Sequence, residues 1–387
     1  MPAPPEAKAS DRPASETEAS AGLWLADLTP KLAVGLVAFV ALLYVAAAAV
    51  LATRQPSLGI AWSAGGVQGL IARSDRRETS LQPGHHVRAL REPGGTAELL
   101  DGDIILEDPR IHATYADYNR FFARQERVAN VLKQPRVELM RTAGDAVTVE
   151  SRTQRPLHEL PYVFWIYNSS GTACLLIGAG VWSYRRGDVA AECFALAGLG
   201  FFGAMLCLSV YATREMALEP QLFHVLSAAN HLFMLLFTYS LLALLWYFPR
   251  RLGNVRRRTM AAVYAGAALV WLNDTQQWYE VPGHAFYVLT FVVPFLLGAP
   301  FLVAQWRRAR RRPLDRGALQ WHAIAVFATL AAVTMVLAVA PIHVPAIPLS
   351  IPTAALLVLA MFCVVALGMT RADPALRSPS RRAPHGR

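Results

Sequence analysis

"QWRRARRRPLDRG", residues 305–317, sets six arginines among thirteen positions of a chain whose formal charge is +10. Such a run serves either a phosphate track or the side of a bilayer that attracts cations, and the two readings imply different folds. Its flanks decide. The stretches 284–305 and 318–340 are apolar, and each has the roughly 20 residues a helix needs to cross about 30 Å of hydrocarbon.

Six further apolar runs lie at 32–52, 162–183, 190–211, 222–247, 260–272 (extending towards 278) and 350–370. They explain a composition of 54% hydrophobic and 17% charged residues, where soluble domains carry about 25% charged. The run at 260 is the weakest, because "AAVYAGAALVWLNDTQQWY" turns polar after Leu272. The first is too long for a signal-peptide core and follows some thirty polar residues; it reads as an uncleaved signal anchor.

Arginine placement then gives orientation. With the amino terminus cytoplasmic, the inner connections "YRRGD", "PRRLGNVRRRT", "WRRARRRPLDRG" and the tail from Arg371 hold 18 of the 37 basic residues. Their acids are only Asp188, Asp315 and Asp373. The outer connections "YATREMALEPQ", "NDTQQWYEVPG" and "PIHVPAIPLS" hold one basic residue, Arg214. This is the positive-inside bias, and it orients a multi-pass membrane chain with both termini expected in the cytoplasm. Trp165, Trp182, Trp246, Trp278, Trp306 and Trp321 fall near segment ends, where indole suits the headgroup region. Nucleic-acid binding requires a basic track with a motif that reaches bases; none is present, and the lipid bilayer is the expected partner of the arginines.

The expected fold class is mainly α: a polytopic helical membrane protein of about eight spans, with a small α+β domain between the first and second. The divisions are a disordered cytoplasmic leader (1–30), a first span (31–53), the extracytoplasmic domain (54–160), a seven-helix block (161–371) and a basic disordered tail (372–387). Residues 53–160 carry 15 basic and 14 acidic groups, the near-balance of a soluble domain. Its strands are read at 58–62, 67–72, 86–90, 102–108, 136–142 and 146–152, the last two joined by a hairpin turn around Gly144. Its helix opens on Thr114 and Asp117, spaced as a capping box. Tyr118, Phe121, Phe122, Val128 and Leu132 recur at helical spacing, and Pro135 closes the run.

An "LGI" stretch (58–60), "AELLDGDIIL" (97–106), a helix and a closing hairpin resemble a PDZ domain. "SLQPGHHV" (80–87) is an alternative counterpart of the turn before the helix, with His85 in the usual Asp position. The resemblance implies a peptide groove, in which a ligand pairs with the edge strand at Leu58, Gly59 and Ile60. Its side chains or carboxylate would meet the helix at Tyr118 and Phe122. The same periodicities also suit plain core residues at Leu58, Ile60, Tyr118 and Phe122.

Chemistry-bearing clusters are few. Glu98, Asp101, Asp103, Glu107 and Asp108 are interrupted by "IIL", which breaks the alternation a calcium loop needs. His224 and His231 lie seven apart, beside Ser227 and Asn230. Two such imidazoles suit a haem or quinone, but one helix alone offers them, so hydrogen bonding between helices is the better account. No cofactor or metal is expected. Cys174, Cys193, Cys207 and Cys363 sit inside apolar runs without disulfide or zinc spacing. No acid or base stands deep in a span, which disfavours transport. Without H-E-x-x-H, G-x-S-x-G or a Walker loop, no enzyme is expected.

The layout from about 30 to 370 resembles the input half of competence-type (ComP-like) bacterial sensor histidine kinases. The residues that carry it are "DPRIHATYADYNRFF", "LPYVFWIYNSSGTACLLIGAGVWSYRR" and "YATREMALEPQLFHVLSAANHLF", with "YFPRR" at an inner helix end. The phosphoacceptor helix and ATP-binding domain of those kinases have no counterpart here. The resemblance implies a sensor or receptor-like input module without its own kinase. Its outer domain would bind a peptide or envelope partner, and its loops near 250–258 and 307–316 would contact a separate kinase or signalling protein. A non-catalytic scaffold that recruits an envelope protein is the alternative.

Overall fold

The computed structural model describes residues 29–65, 69–75, 81–109, 112–253, 257–280, 288–309 and 351–371, with 286, 317, 319, 320, 323 and 326. The leader through residue 28, the tail from 372 and nearly all of the run at 318–340 lie outside the described residues.

The chain is mostly helical and carries one small antiparallel sheet. Helix α1 (Pro30–Thr53) leads into strands β1 (Ile60–Ala64), β2 (Leu70–Asp75), β3 (His86–Arg91) and β4 (Glu98–Leu99). Helix α2 (Tyr115–Leu132) and the hairpin β5 (Arg136–Arg141) and β6 (Ala146–Glu150) complete a sheet module. The helical block follows as α3 (Tyr162–Tyr184), α4 (Val189–Tyr211), α5 (Pro220–Tyr247), α6 (Arg257–Gln276), α7 (Val293–Ala309) and α8 (Ile351–Arg371).

Among the described residues, five helical segments are long and apolar enough to cross a membrane: α1, α4, α5, Val288–Ala309 (α7 with the π-turn before it) and α8. Helix α3 matches them in length but carries Asn168, Ser169 and Ser170 near its start, and α6 ends on Asn273, Asp274, Thr275 and Gln276. Helix α1 has its polarity inside out. A stripe of Ala33, Ala41, Ala48 and Ala52 is buried, while Leu32, Phe39, Leu42 and Leu43 stand 55–62% exposed. Water would penalise such a surface; hydrocarbon does not.

Small residues set the spacing inside the block. Helix α4 is buried along most of its length between α3 and α5. A Cβ at Gly198 would come within 2.7 Å of the Cys174 carbonyl oxygen, and one at Gly200 within 2.5 Å of the Phe237 nitrogen. Close backbone approach at small residues supplies the dispersion contact that lipid tails cannot drive.

The sheet runs β1-β2-β3-β5-β6, with β4 added to β3, all pairs antiparallel. Ser57 and Arg152 exchange backbone hydrogen bonds of 2.9 and 3.0 Å, tying the start of β1 to the end of β6. Val137, Leu139, Val147 and Val149 of the hairpin pack against Val128, Ala129 and Leu132 of α2. The helix starts as its sequence requires: Thr114 Oγ1 accepts from the Asp117 amide at 3.1 Å.

One expected strand is corrected. Residues 102–105 form a 3-10 turn, because the Asp101 side chain accepts from the Asp103 amide and coils the chain there. The Asp101 carboxylate also pairs with Arg124 of α2, and Ile104 is buried.

The close packing of α4 gives a contrast to test. Gly200→Val forces a side chain into the α5 backbone and is expected to destabilise by about 1–3 kcal/mol or more. Gly180→Ala, which meets no atom within 4 Å, is expected to cost nothing. Thermal unfolding of the purified protein in detergent compares them, and equal midpoints would refute the packing described.

Candidate functional site

The start of β1 presents backbone donors to one point. Gly59 adopts φ +76°, a left-handed conformation that costs other residues more. It turns the amides of Leu58, Gly59 and Ile60 to the same side, forming the concave nest that binds anions.

The nest is filled by the chain itself. Glu215, on the eight-residue loop between α4 and α5, places its carboxylate there. Oε2 accepts from the Leu58 amide at 2.9 Å, the Gly59 amide at 3.2 Å and the Ser57 hydroxyl at 2.6 Å. Oε1 accepts from the Ile60 amide at 3.0 Å and the Trp62 indole at 3.4 Å. Ionised acceptors make these bonds roughly twice as strong as neutral ones.

Every neighbour on the loop is engaged as well. Met216 and Ala217 are buried in the core of the sheet module, beside Leu58, Ile60 and Val128. Leu218 belongs instead to the core of the helical block. The Arg214 guanidinium donates to the carbonyls of Tyr211 (2.7 Å), Ile104 (3.1 Å) and Leu106 (2.6 Å). Its carbon lies 4.5 Å from the Phe223 ring centre, a cation–π distance. Burial pushes the Arg214 pKa down to about 10, against the opposing influence of Tyr211 and Glu107, so the group stays charged at neutral pH. Glu219 accepts from the Leu222 amide at 2.7 Å and starts α5.

Beside the seat lies a cavity of about 280 Å³. Gly59, Ile60, Trp62, Glu107, Arg155 and Glu215 are among its walls. The Glu107 carboxyl accepts from the Tyr167 hydroxyl at 3.4 Å. Desolvation raises its pKa above the ordinary 4.5, although Tyr167 and Arg214 pull the other way.

The five expected groove residues separate. Leu58, Gly59 and Ile60 form the seat. Tyr118 and Phe122 do not: they lie at one edge of the buried arc of α2, over the first turns of α5. Phe122 is 5.1 Å from Phe223 and 5.2 Å from His224, and Tyr118 is 6.0 Å from His224, ring centre to ring centre. The helix thus serves the sheet with its last turns and the helical block with its first.

The intramembrane polar group is only partly as expected. Asn230 donates to the Ala204 carbonyl on α4 at 2.8 Å, a bond between helices. His231 instead lies between two carboxylates, Nε2 being 3.7 Å from Asp108 and Nδ1 3.5 Å from Asp274. Asp274 is buried near the end of α6, in the polar stretch that follows its apolar part. Ser227, on α5 with Asn230 and His231, is fully buried. Asn230 and His231 form the polar end of a cavity of about 90 Å³ whose walls include Phe201, Phe237, Phe286 and Phe291. Among the described residues, no three His, Cys, Asp or Glu side chains gather as a metal site.

Sequence reading assigned no role to Arg214, Glu215 or Met216. The signal available was a charged pair followed by "MAL" in a short outer loop, an apolar run with no helix of its own to bury it. No family model matches the chain, and no curated protein or solved structure does.

Two outcomes follow from this geometry. Glu215→Ala leaves the seat's amides without their acceptor, at a cost of about 1–3 kcal/mol for each donor left unsatisfied. Hydrogen exchange at Leu58–Ile60 is expected to accelerate, and unchanged protection would refute the role of the carboxylate. For Glu107, the folded pKa lies above the unfolded value, so ionisation penalises the fold. Its contribution is most favourable below about pH 4.5 and is lost as pH rises from there through the folded pKa. Glu107→Gln is expected to flatten that slope in denaturation midpoints measured against pH; a slope equal to the parent's would show that Glu107 is not its source.

Proposed function

We propose that the chain is the receptor part of a bacterial inner-membrane signalling system, with eight spans and a PDZ-like extracytoplasmic module. Its cytoplasmic loops would report to a kinase or signalling protein. The module would take a peptide or envelope component at its β1 edge, and the helical block would pass the change to the cytoplasmic loops.

The observation that carries this reading is the seating of Glu215 in the amide nest. A tether that merely held an envelope protein near the membrane would need only the connection from α1. Here the loop between the two most closely packed helices, α4 and α5, is built into the module's core. Any change at the seat therefore acts on both helices, and a shift of about 1–2 Å is an established way for packed helices to signal.

The opposite ends of the helices are joined to one another. Gln305 donates to the carbonyls of Leu245, Trp246 and Arg250, and Arg308 to that of Arg251 at 3.1 Å. Arg185 reaches the Met369 carbonyl at 2.7 Å. A displacement of α4 or α5 is thus shared among α3, α7 and α8, near the arginines that a cytoplasmic partner would meet.

Photo-crosslinking from positions near Arg251 and Arg307 in native membranes tests the reading. Crosslinks to a kinase or response regulator, altered by Glu215→Ala, are the expected result. Crosslinks unchanged by Glu215→Ala, with only envelope proteins co-purifying, would replace the receptor with a scaffold.

A further inference from the structure

We propose that the crevice between α1 and the α3–α4 pair is a binding site for one acyl chain of a phospholipid whose headgroup carries a primary ammonium. Phosphatidylethanolamine is the lipid of that class. The proposal is independent of the receptor reading and takes from it only the leaflet, the cytoplasmic one, that would supply the lipid.

The shape is that of a single chain. The crevice holds about 550 Å³, and its walls are almost wholly apolar, with Leu36, Val40 and Tyr44 from α1, Trp182 from α3, and Leu196 and Leu199 from α4 among them. Leu175 and Phe202, buried with Ala41, mark the end at mid-membrane. Trp182 and Glu192 mark the other. Between Glu192 and Phe202 helix α4 rises about 15 Å, the depth of one leaflet in a hydrocarbon core about 30 Å thick. Leu36, Val40, Leu196 and Leu199 keep 39–48% of their surface open, so a chain can enter sideways from the hydrocarbon.

The mouth selects the headgroup. Glu192 is the one charged residue of the walls, and it is half-buried. Among the described residues, no hydrogen bond or ion pair engages its carboxylate. Arg185 is committed elsewhere, to Asp188 at 2.7 Å and to the Met369 carbonyl. Trp182 stands at the depth indole prefers, with the Arg186 guanidinium 5.7 Å from its ring centre. A carboxylate without a cation is costly at the edge of hydrocarbon. A primary ammonium brings it both charge and three N–H donors. A trimethylammonium brings charge without donors, and a glycerol headgroup brings no cation. The phosphate that precedes the ammonium suits Arg186. Occupancy would wedge α1, which leads into β1, against α4, which packs on α5. The lipid thereby becomes part of the contact between the first span and the block.

The test uses the full chain, purified in detergent and offered phosphatidylethanolamine, phosphatidylglycerol and phosphatidylcholine of identical chains. Native mass spectrometry counts the lipids retained. The parent is expected to keep one phosphatidylethanolamine at least about tenfold in preference to either other lipid, the worth of one charged hydrogen bond. Glu192→Gln is expected to erase that preference, and Glu192→Lys to turn it towards phosphatidylglycerol. Val40→Trp, which fills the crevice from the α1 side, is expected to keep none of the three. An unchanged thermal midpoint reports that each variant is folded, and Glu192→Lys carries the test if Val40→Trp is not. A parent that keeps all three lipids alike overturns the proposal. So does a folded Glu192→Gln or Val40→Trp that retains phosphatidylethanolamine as the parent does. Each outcome stands apart from crosslinking near Arg251, which tests the receptor reading alone.

Discussion

A carboxylate withdrawn from water must find donors, and the nearest ones available to Glu215 belong to another part of the chain. The bonds it makes to Leu58, Gly59 and Ile60 span more than 150 residues, and most of the relation between the two halves follows from them. With the carboxylate seated, Met216 and Ala217 complete the apolar core of the module. Arg214, one residue earlier, satisfies the carbonyls that the 3-10 turn leaves at Ile104 and Leu106. Unseated, the loop would leave a buried cation and a set of backbone donors without partners, and each such orphan is costly in a low-dielectric surrounding. The junction is therefore held as a unit rather than by the sum of weak surface contacts.

The same demand for satisfied polar groups explains where the helical block can be irregular. Asn168, Ser170 and Ser209 turn their side chains back to carbonyls within their own helices. Asn230 spends its amide on α4. These residues are polar by composition, and donating within the block lowers the cost of burying them. Longer-reaching polar groups are kept for the ends: Arg185, Gln305 and Arg308 stitch one end, while Asp108, His231 and Asp274 gather where α5 and α6 meet the module.

The parts of this architecture that local chemistry determines could be read from residues alone. Apolar runs fixed α1, α3, α4, α5 and α8 within a few positions, and Thr114 with Asp117 fixed the start of α2. Alternation fixed β5 and β6 around Gly144. The run "GDIIL" misled, because its apolar residues suit a strand while the Asp101 cap, a local polar contact, decides for a 3-10 turn. Half of the site was visible for a similar reason. Leu58, Gly59 and Ile60 stand together in the chain and shape the nest by their own backbone. Its occupant was not visible, since no periodicity links Glu215 to a strand so far away. Tyr118 and Phe122 were drawn to the groove by a helical spacing that says which face is buried but not against what.

The long span between Leu58 and Glu215 also orders events in time. The module's last strand ends at Glu150, well before the loop that supplies Met216 and Ala217, and at about 5–20 residues per second the gap lasts roughly 3–13 s. Through that interval the newborn module lacks two residues of its core, which arrive only after two later helices have been made. Completion of the sheet module's core therefore waits on two helices that are made after it.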